Sequence, residues 1–441
     1  MNEERLFAVL SEGMEKNRDR LVELLQELIR RQSESQNPNN KQLYRQAAEN
    51  LDFIEKWLAP YGFSSERWDV PNAMHGKLPV MVSRRKGVGK GRSLAFNGHV
   101  DVVPAGDRKK WLADAYAGHV EDGELYGRGA SDMKGGIAAT MMAVALLADC
   151  GYELAGDVEF HTVSDEEIVG IGTREIAKRI QRLDAVIGTE PTGMTVCPAA
   201  PGLEHLRIEI HGKSAHAGVR YAEIYSQYES ASANAIEKGL KIISALHKLE
   251  REWGQNKSHA LFPQGYNTIL PGFIVGGMGG GSDGMVNEIA NPGTTPDYCS
   301  IEYNIWYYPG ESLDDIKREI ETSVREACRT DDWLISHAPV LTWALRGISF
   351  PPMNTPTAHD IVNTLGHCAR LARVESEPTA FEAATDLSWY SIRGIPAVLF
   401  GPGKMAKAHS ADESVSIDDL CRCAVVLALT LAAWCGVERH R

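Results

Sequence analysis

The chain has 441 residues, with 46 Lys plus Arg against 59 Asp plus Glu for a formal net charge of −13. That length exceeds what one hydrophobic core supports, so two domains are expected, one inserted in the other. The acidic balance, without a basic stripe or a run of five like charges, argues against nucleic acid as a partner, and no stretch reaches the roughly 18 apolar residues of a membrane span.

At the N-terminus, Leu6, Val9, Leu10, Leu21, Leu24, Leu25 and Ile29 recur at helical spacing between charges. This predicts an amphipathic helix over 4–31, broken near Gly13. The segment lacks the apolar core of a secretory signal. The eight cysteines are scattered apart from "CRC" at 421–423, so they read as reduced residues of a cytoplasmic protein. A second helix over about 43–60 ends where "APYGF" supplies proline and glycine. Strands and helices then alternate: "SLAFNG" (93–98), the helix "IAATMMAVALLADC" (137–150), "GDVEFHTVS" (156–164), the helix "TREIAKRIQRL" (173–183) and "DAVIGTE" (184–190). That alternation predicts an α/β domain with a mixed, mostly parallel sheet covered by helices.

From about 202 the pattern changes to the alternating strand "LEHLRIEIHG", a long helix near 229–252, the strand "YCSIEYNIWYY" and a helix over 312–329. It predicts a small α+β insert, one sheet backed by two helices. The glycine-rich "GGMGGGSDG" (276–284) lacks the Lys-Ser/Thr of a phosphate-binding loop and reads as a turn. After "SFPPMNTP" (349–356) the α/β pattern returns with a helix over 357–372, the strand "IPAVLFG" and a helix over 416–435. The expected boundaries are 1–201 and 347–441 for the α/β domain and 202–346 for the insert.

Five short stretches stand at or just beyond strand ends or glycine-rich turns. "NGHVDVVP" (97–104) holds His99 and Asp101, "GRGASDMKGG" (127–136) holds Asp132, and "SDEE" (164–167) holds Glu166 and Glu167. "GTEPT" (188–192) holds Glu190 and "KAHSAD" (407–412) holds His409. Each has an ordinary reading alone: Asp132 as a helix cap, the glutamates as solvated turn, His409 as surface. Together they collect where open α/β sheets build their sites, at the carboxyl edge. Two histidines with Asp132, Glu167 and Glu190 suit a pair of zinc ions, one carboxylate bridging. Three carboxylates against the charge of two zinc ions leave room for one hydroxide, and a fourth ligating carboxylate would weaken the site as an electrophile. Glu166 is then left for proton transfer. Asp101 is expected to accept the second ring N–H of His99 and fix its tautomer.

In this order, "GHVD", "GRGASDMKGG", "SDEE", "GTEP" and "AHSADE" resemble the co-catalytic zinc metallopeptidase family of glutamate carboxypeptidase, aminoacylase, acetylornithine deacetylase and succinyl-diaminopimelate desuccinylase. The resemblance spans about 93–412. It implies a zinc-hydrolase domain interrupted by a lid domain through which a homodimer forms. By the same resemblance His99 and Glu190 hold one metal, Glu167 and His409 the other, and Asp132 bridges; zinc is implied, with cobalt or manganese as substitutes. Glu166 matches the general base. "GKSAHAG" (212–218) resembles the lid motif whose histidine, here His216, stabilises the oxyanion in a neighbouring subunit, although a turn histidine at a strand end is the ordinary reading.

The implied activity is metal-dependent hydrolysis of an amide bond in a small molecule, an N-acyl amino acid or peptide-like substrate. A dipeptidase or carboxypeptidase of the same family, an aminopeptidase with a different two-zinc site, and an inactive binding relative are the alternatives. The chain departs from the family where relatives carry arginines for a substrate carboxylate. "YNIWYYPGE" (303–311) has Asn304 and Trp306 in the places of an Asp-x-Arg, and "TDLS" (385–388) has Ser388 where Thr-Asp-Ala-Arg ends. The expectation is a substrate with an apolar or aromatic portion and no carboxylate clamp, unless Arg220 or Arg346 substitutes.

Overall fold

The computed structural model describes residues 3–37, 39–72, 74–225, 232–289 and 291–439. They form two compact units, Met1–Ala200 with Met353–Arg441, and Pro201–Pro352.

The first unit is built on a six-stranded sheet. Its spatial order is Ser64–Asn72, Gly76–Arg85, Val158–Val163, Leu94–His99, Val186–Gly188, Ala397–Leu399. The last four run parallel, and the first two add antiparallel. Every residue of Leu94–His99, Val186–Gly188 and Ala397–Leu399 is buried, as continuous apolar strands covered on both faces must be. The helix Lys134–Asp149 is apolar all round and buried from Lys134 to Leu147. It shares the largest core with Ile417–Cys435 and the two N-terminal helices. Lys134 donates from its buried ammonium to the carbonyls of Leu28 (2.9 Å) and Arg31 (2.8 Å), tying the end of the second helix to this one.

Close approach explains the two glycines that follow. A Cβ on Gly136 would stand 2.0 Å from the carbonyl oxygen of Thr189, and one on Gly135 would stand 2.3 Å from that of Ala130. Glycine lets the helix start sit directly against the segment that carries Glu190. Gly136→Ala is expected to cost about 1–3 kcal/mol through overpacking; an unchanged denaturation midpoint would show that the helix end can retreat freely.

Three local differences from the sequence reading have physical causes. The N-terminal helices are Glu3–Lys16 and Arg18–Arg30, so the break lies at Asn17 and not at Gly13. The Asn17 side-chain amide donates to the carbonyl of Gly13 at 2.9 Å, a local bond that competes with helix continuation. The hairpin Ser64–Asn72/Gly76–Arg85 was not expected, because its outer strand is mostly polar and only Val70 and Asn72 are buried.

In the second unit a sheet of order Val286–Glu288, Thr268–Gly280, Tyr298–Tyr307, Gly202–His211, Val340–Trp343 packs with the helices Ala235–Asn256 and Leu313–Cys328. The part of the expected long helix at 229–231 lies outside the described residues. Along Tyr298–Tyr307, Ile301, Tyr303, Ile305 and Tyr307 enter the core while Glu302, Asn304 and Trp306 alternate onto the other face. The glycine-rich segment is a third correction. Gly276–Gly280 belong to a strand, because small residues are needed there: a Cβ on Gly280 would stand 2.3 Å from the Tyr298 ring. Only the residues after it turn, with the Gly281 amide bonded to the Met285 carbonyl at 2.8 Å. Among the described residues no helix is long and apolar enough to cross a membrane.

Candidate metal centre

The parallel strands of the first unit deliver the chemistry at their carboxyl ends. His99 is the last residue of Leu94–His99, Glu166 and Glu167 follow Val158–Val163, Glu190 follows Val186–Gly188, and His409 lies beyond Ala397–Leu399. Asp132 comes from the loop before Lys134–Asp149.

The structure brings these six side chains together. Nε2 of His99 lies 3.2 Å from one Asp132 oxygen and 3.9 Å from oxygens of Glu166 and Glu190. Nε2 of His409 lies 3.4 Å from the other Asp132 oxygen and 3.1 Å from Glu167. Asp132 therefore faces one histidine with each oxygen. Ligand atoms of His99, Asp132 and Glu167 all fall within 4.8 Å of one another, as do those of Glu166, Glu190 and Asp386.

Asp101 departs from the expectation. The His99 Nδ1–H donates to the main-chain carbonyl of Asp101 at 2.9 Å, while the carboxylate is 3.6 Å away. That carboxylate instead accepts the main-chain N–H groups of Glu166 (3.3 Å) and Glu167 (3.2 Å). Two amides of the "SDEE" turn outcompete one ring N–H, so a single residue fixes both the histidine tautomer and the glutamate pair. With Nδ1 donating, Nε2 is the nitrogen that His99 presents to Asp132, donating to that carboxylate when the ring is charged and offering a lone pair to a cation when the ring is neutral.

Electrostatics sharpen the same point. Burial, and then the negative charge of neighbouring carboxylates, pushes Glu166 and Glu190 well above the usual range. Burial and Asp132 push Glu167 up to about 7, and burial pushes Asp386 up to about 6. Asp132 alone goes the other way: burial opposes its charge, yet hydrogen bonds with His409 and His99 hold it well below the usual range. Carboxylates crowded in a dry site are costly without positive charge among them. Imidazole nitrogens and carboxylate oxygens are the donor set that divalent cations of the zinc type take, and the residues fit such a group.

Asp386 was not among the residues singled out from the sequence. It is buried, accepts from Asn97 Nδ2 at 3.2 Å and from the Thr173 hydroxyl, and joins Glu166 and Glu190. It lies in a loop before the short helix Ser388–Ser391, away from any strand end, and only its place in "TDLS" marked it. Ser388 itself is buried. His216 belongs to the second unit, where it is exposed and precedes the turn Ala217–Val219. Its Nδ1 accepts the N–H of Gly218 at 3.0 Å, which leaves the proton of the neutral ring on Nε2.

The model of the peptidase family M20/M25/M40 matches residues 95–433. The N-formyl-4-amino-5-aminomethyl-2-methylpyrimidine deformylase of Bacillus subtilis (strain 168) is 32% identical, covering 98% of this chain and 98% of its own. A tripeptidase from Staphylococcus aureus is 19% identical with a TM-score of 0.73, over 95% of this chain and 99% of the other. The Bacillus subtilis YXEP protein, described as a dinuclear metal-binding peptidase of the M20 family, is 15% identical with a TM-score of 0.62, over 95% and 99%.

Proposed function

The chain belongs to peptidase family M20/M25/M40 and is a hydrolase of amide bonds, and from that premise we propose that it removes a small acyl group, such as formyl, from an amine borne by an aromatic ring. The observation that carries this reading is how three arginines of the inserted unit, Arg207, Arg220 and Arg346, are spent. Arg346 grips Glu302 with two contacts of 2.9 Å, and Arg207 bonds the same carboxylate at 2.8 and 3.2 Å. Arg220 holds both oxygens of Glu237 at 2.5 and 2.7 Å. Guanidinium groups already paired with carboxylates of their own chain do not supply a substrate clamp cheaply. Where relatives place the clamp this chain has Asn304 and Trp306, and an indole suits a flat ring better than an anion. The deformylase relative is named for a pyrimidine substrate that has no carboxylate.

Held by His99, Glu190, Glu167 and His409 with Asp132 between them, two divalent cations, zinc by the donor set, would supply Lewis acidity toward the scissile carbonyl and acidify water. Glu166 takes the proton of the attacking water and returns it to the leaving nitrogen. Asp101 keeps Glu166 in place through its main-chain amide. By the family resemblance, the Nε2–H of His216 is the donor offered to the tetrahedral oxyanion in a neighbouring copy of the chain. On this reading residues 202–346 are a lid through which two copies of the chain pair, and the enzyme works in the cytoplasm.

Matched aromatic amides test the substrate. Formamides and acetamides of arylmethylamines are expected to be cleaved, and substrates with a free or an amidated carboxylate to differ in kcat/KM by less than about 100-fold, roughly 2.7 kcal/mol. A larger preference for the free acid would show that a carboxylate clamp exists.

A further inference from the structure

Glu413 and Arg128 touch both loops that carry the Asp132 and His409 ligands, yet neither side chain takes part in the chemistry above. Glu413 is fully buried and Arg128 is 2% exposed. One Glu413 oxygen accepts three main-chain N–H groups of the Asp132 loop, from Gly129 (3.1 Å), Ser131 (2.9 Å) and Asp132 itself (2.9 Å). The other oxygen takes Nη1 of Arg128 at 2.5 Å. Nη2 of Arg128 then donates to the carbonyl of His409 at 3.4 Å and to that of Pro104 at 3.2 Å. His409 needs such support, because its φ of 59° is a left-handed conformation that a histidine adopts only when its surroundings impose it.

We propose that Arg128 and Glu413 form a positioning pair that sets the distance between Asp132 and His409, and so governs the cation position those two share with Glu167. The carboxylate gathers the amides of one loop and the guanidinium fork reaches the carbonyl of the other, so the link runs without a break from the Asp132 main chain to the His409 main chain. A planar fork with several fixed donors is what the arrangement requires; a lysine would reach Glu413 but not also hold the His409 carbonyl. The inference rests on the metal-ligand reading, and its test separates the two.

Equilibrium titration of the metal-free full-length protein with Zn²⁺ against a competing chelator, with Co²⁺ absorption as a second signal, gives the two affinities. Near-ultraviolet circular dichroism establishes that each variant is folded. For Glu413→Gln and for Arg128→Lys, one of the two affinities is expected to fall about 10- to 100-fold, the usual scale for partners that orient ligands. The other affinity is expected to change by less than about threefold, with Arg128→Lys milder than Glu413→Gln, and either folded variant alone suffices for the test. Two wild-type affinities in a folded but less stable variant would reduce the pair to a structural role and overturn the proposal. Equal weakening of both positions would overturn it as well, since the pair would then act on the whole site. Failure of the wild-type protein to bind two metals would instead remove the metal-ligand reading, and the inference with it.

Discussion

Glu166→Ala is expected to keep both metals and to lose hydrolysis by about 10²- to 10⁴-fold or more, because one group serves as base and then as acid. The geometry separates this glutamate from its neighbour. Glu167 stands 3.1 Å from the ring of His409, whereas the nearest histidine approach of Glu166 is 3.9 Å, to His99. Glu166 is also anchored by its main chain, through the Asp101 carboxylate, so removing its side chain leaves the turn in place. The loss should fall on kcat with little change in KM, since proton transfer matters in the transition state and not in binding. Metal analysis beside steady-state kinetics decides the matter: depleted metal in the variant, or near-normal turnover, would exchange the roles of Glu166 and Glu167.

Asp132→Ala is expected to be the most damaging ligand change, dropping activity to that of the metal-free protein and disturbing both metal positions. Its two oxygens face His99 at 3.2 Å and His409 at 3.4 Å, so its loss is felt at both histidines at once. His409→Ala should differ in kind. It withdraws one ligand from a half-exposed position and leaves His99, Glu190 and Asp132 together, so one metal should persist with the first unit still folded. Metal content by elemental analysis and thermal melting of each variant check both statements. Equal metal content in Asp132→Ala, His409→Ala and the wild-type protein would mean that the ligands are wrongly chosen.

Most of the candidate ligand residues were legible because they combine an unusual residue type with a place at the end of an apolar strand or in a glycine-rich turn; His409, in a loop beyond its strand, was legible from its residue type and the motif around it. "GHVD" closes the strand Leu94–His99 and "GTEP" follows Val186–Gly188, so chemistry and position pointed the same way. Asp386 had the chemistry without the position. Glu413 stood within "AHSADE", but its meaning depends on Arg128, 285 residues earlier, and no local pattern carries that pairing. The hairpin Ser64–Asn72/Gly76–Arg85 was invisible for a different reason: an edge strand packed mainly on its neighbour needs little apolar alternation. For Asp101 the residue was found and its contact was not, since which of two acceptors a ring N–H meets is decided by the turn.

The strand order of the first unit has a consequence for synthesis. Ala397–Leu399 completes the sheet beside Val186–Gly188, and Ile417–Cys435 covers the apolar helix Lys134–Asp149, yet all of Pro201–Pro352 is translated between these partners. While the ribosome makes that intervening stretch, the earlier half waits with an unpaired strand edge and an apolar helix face in water, the two features that most invite association with other chains. Docking of Met353–Arg441 is a long-range closure, slow by its topology. His409 is made only with that segment, so on the proposed reading a nascent chain carries His99, Asp132, Glu167 and Glu190 before the last candidate ligand exists, and metal capture is expected at the end of folding rather than at its beginning.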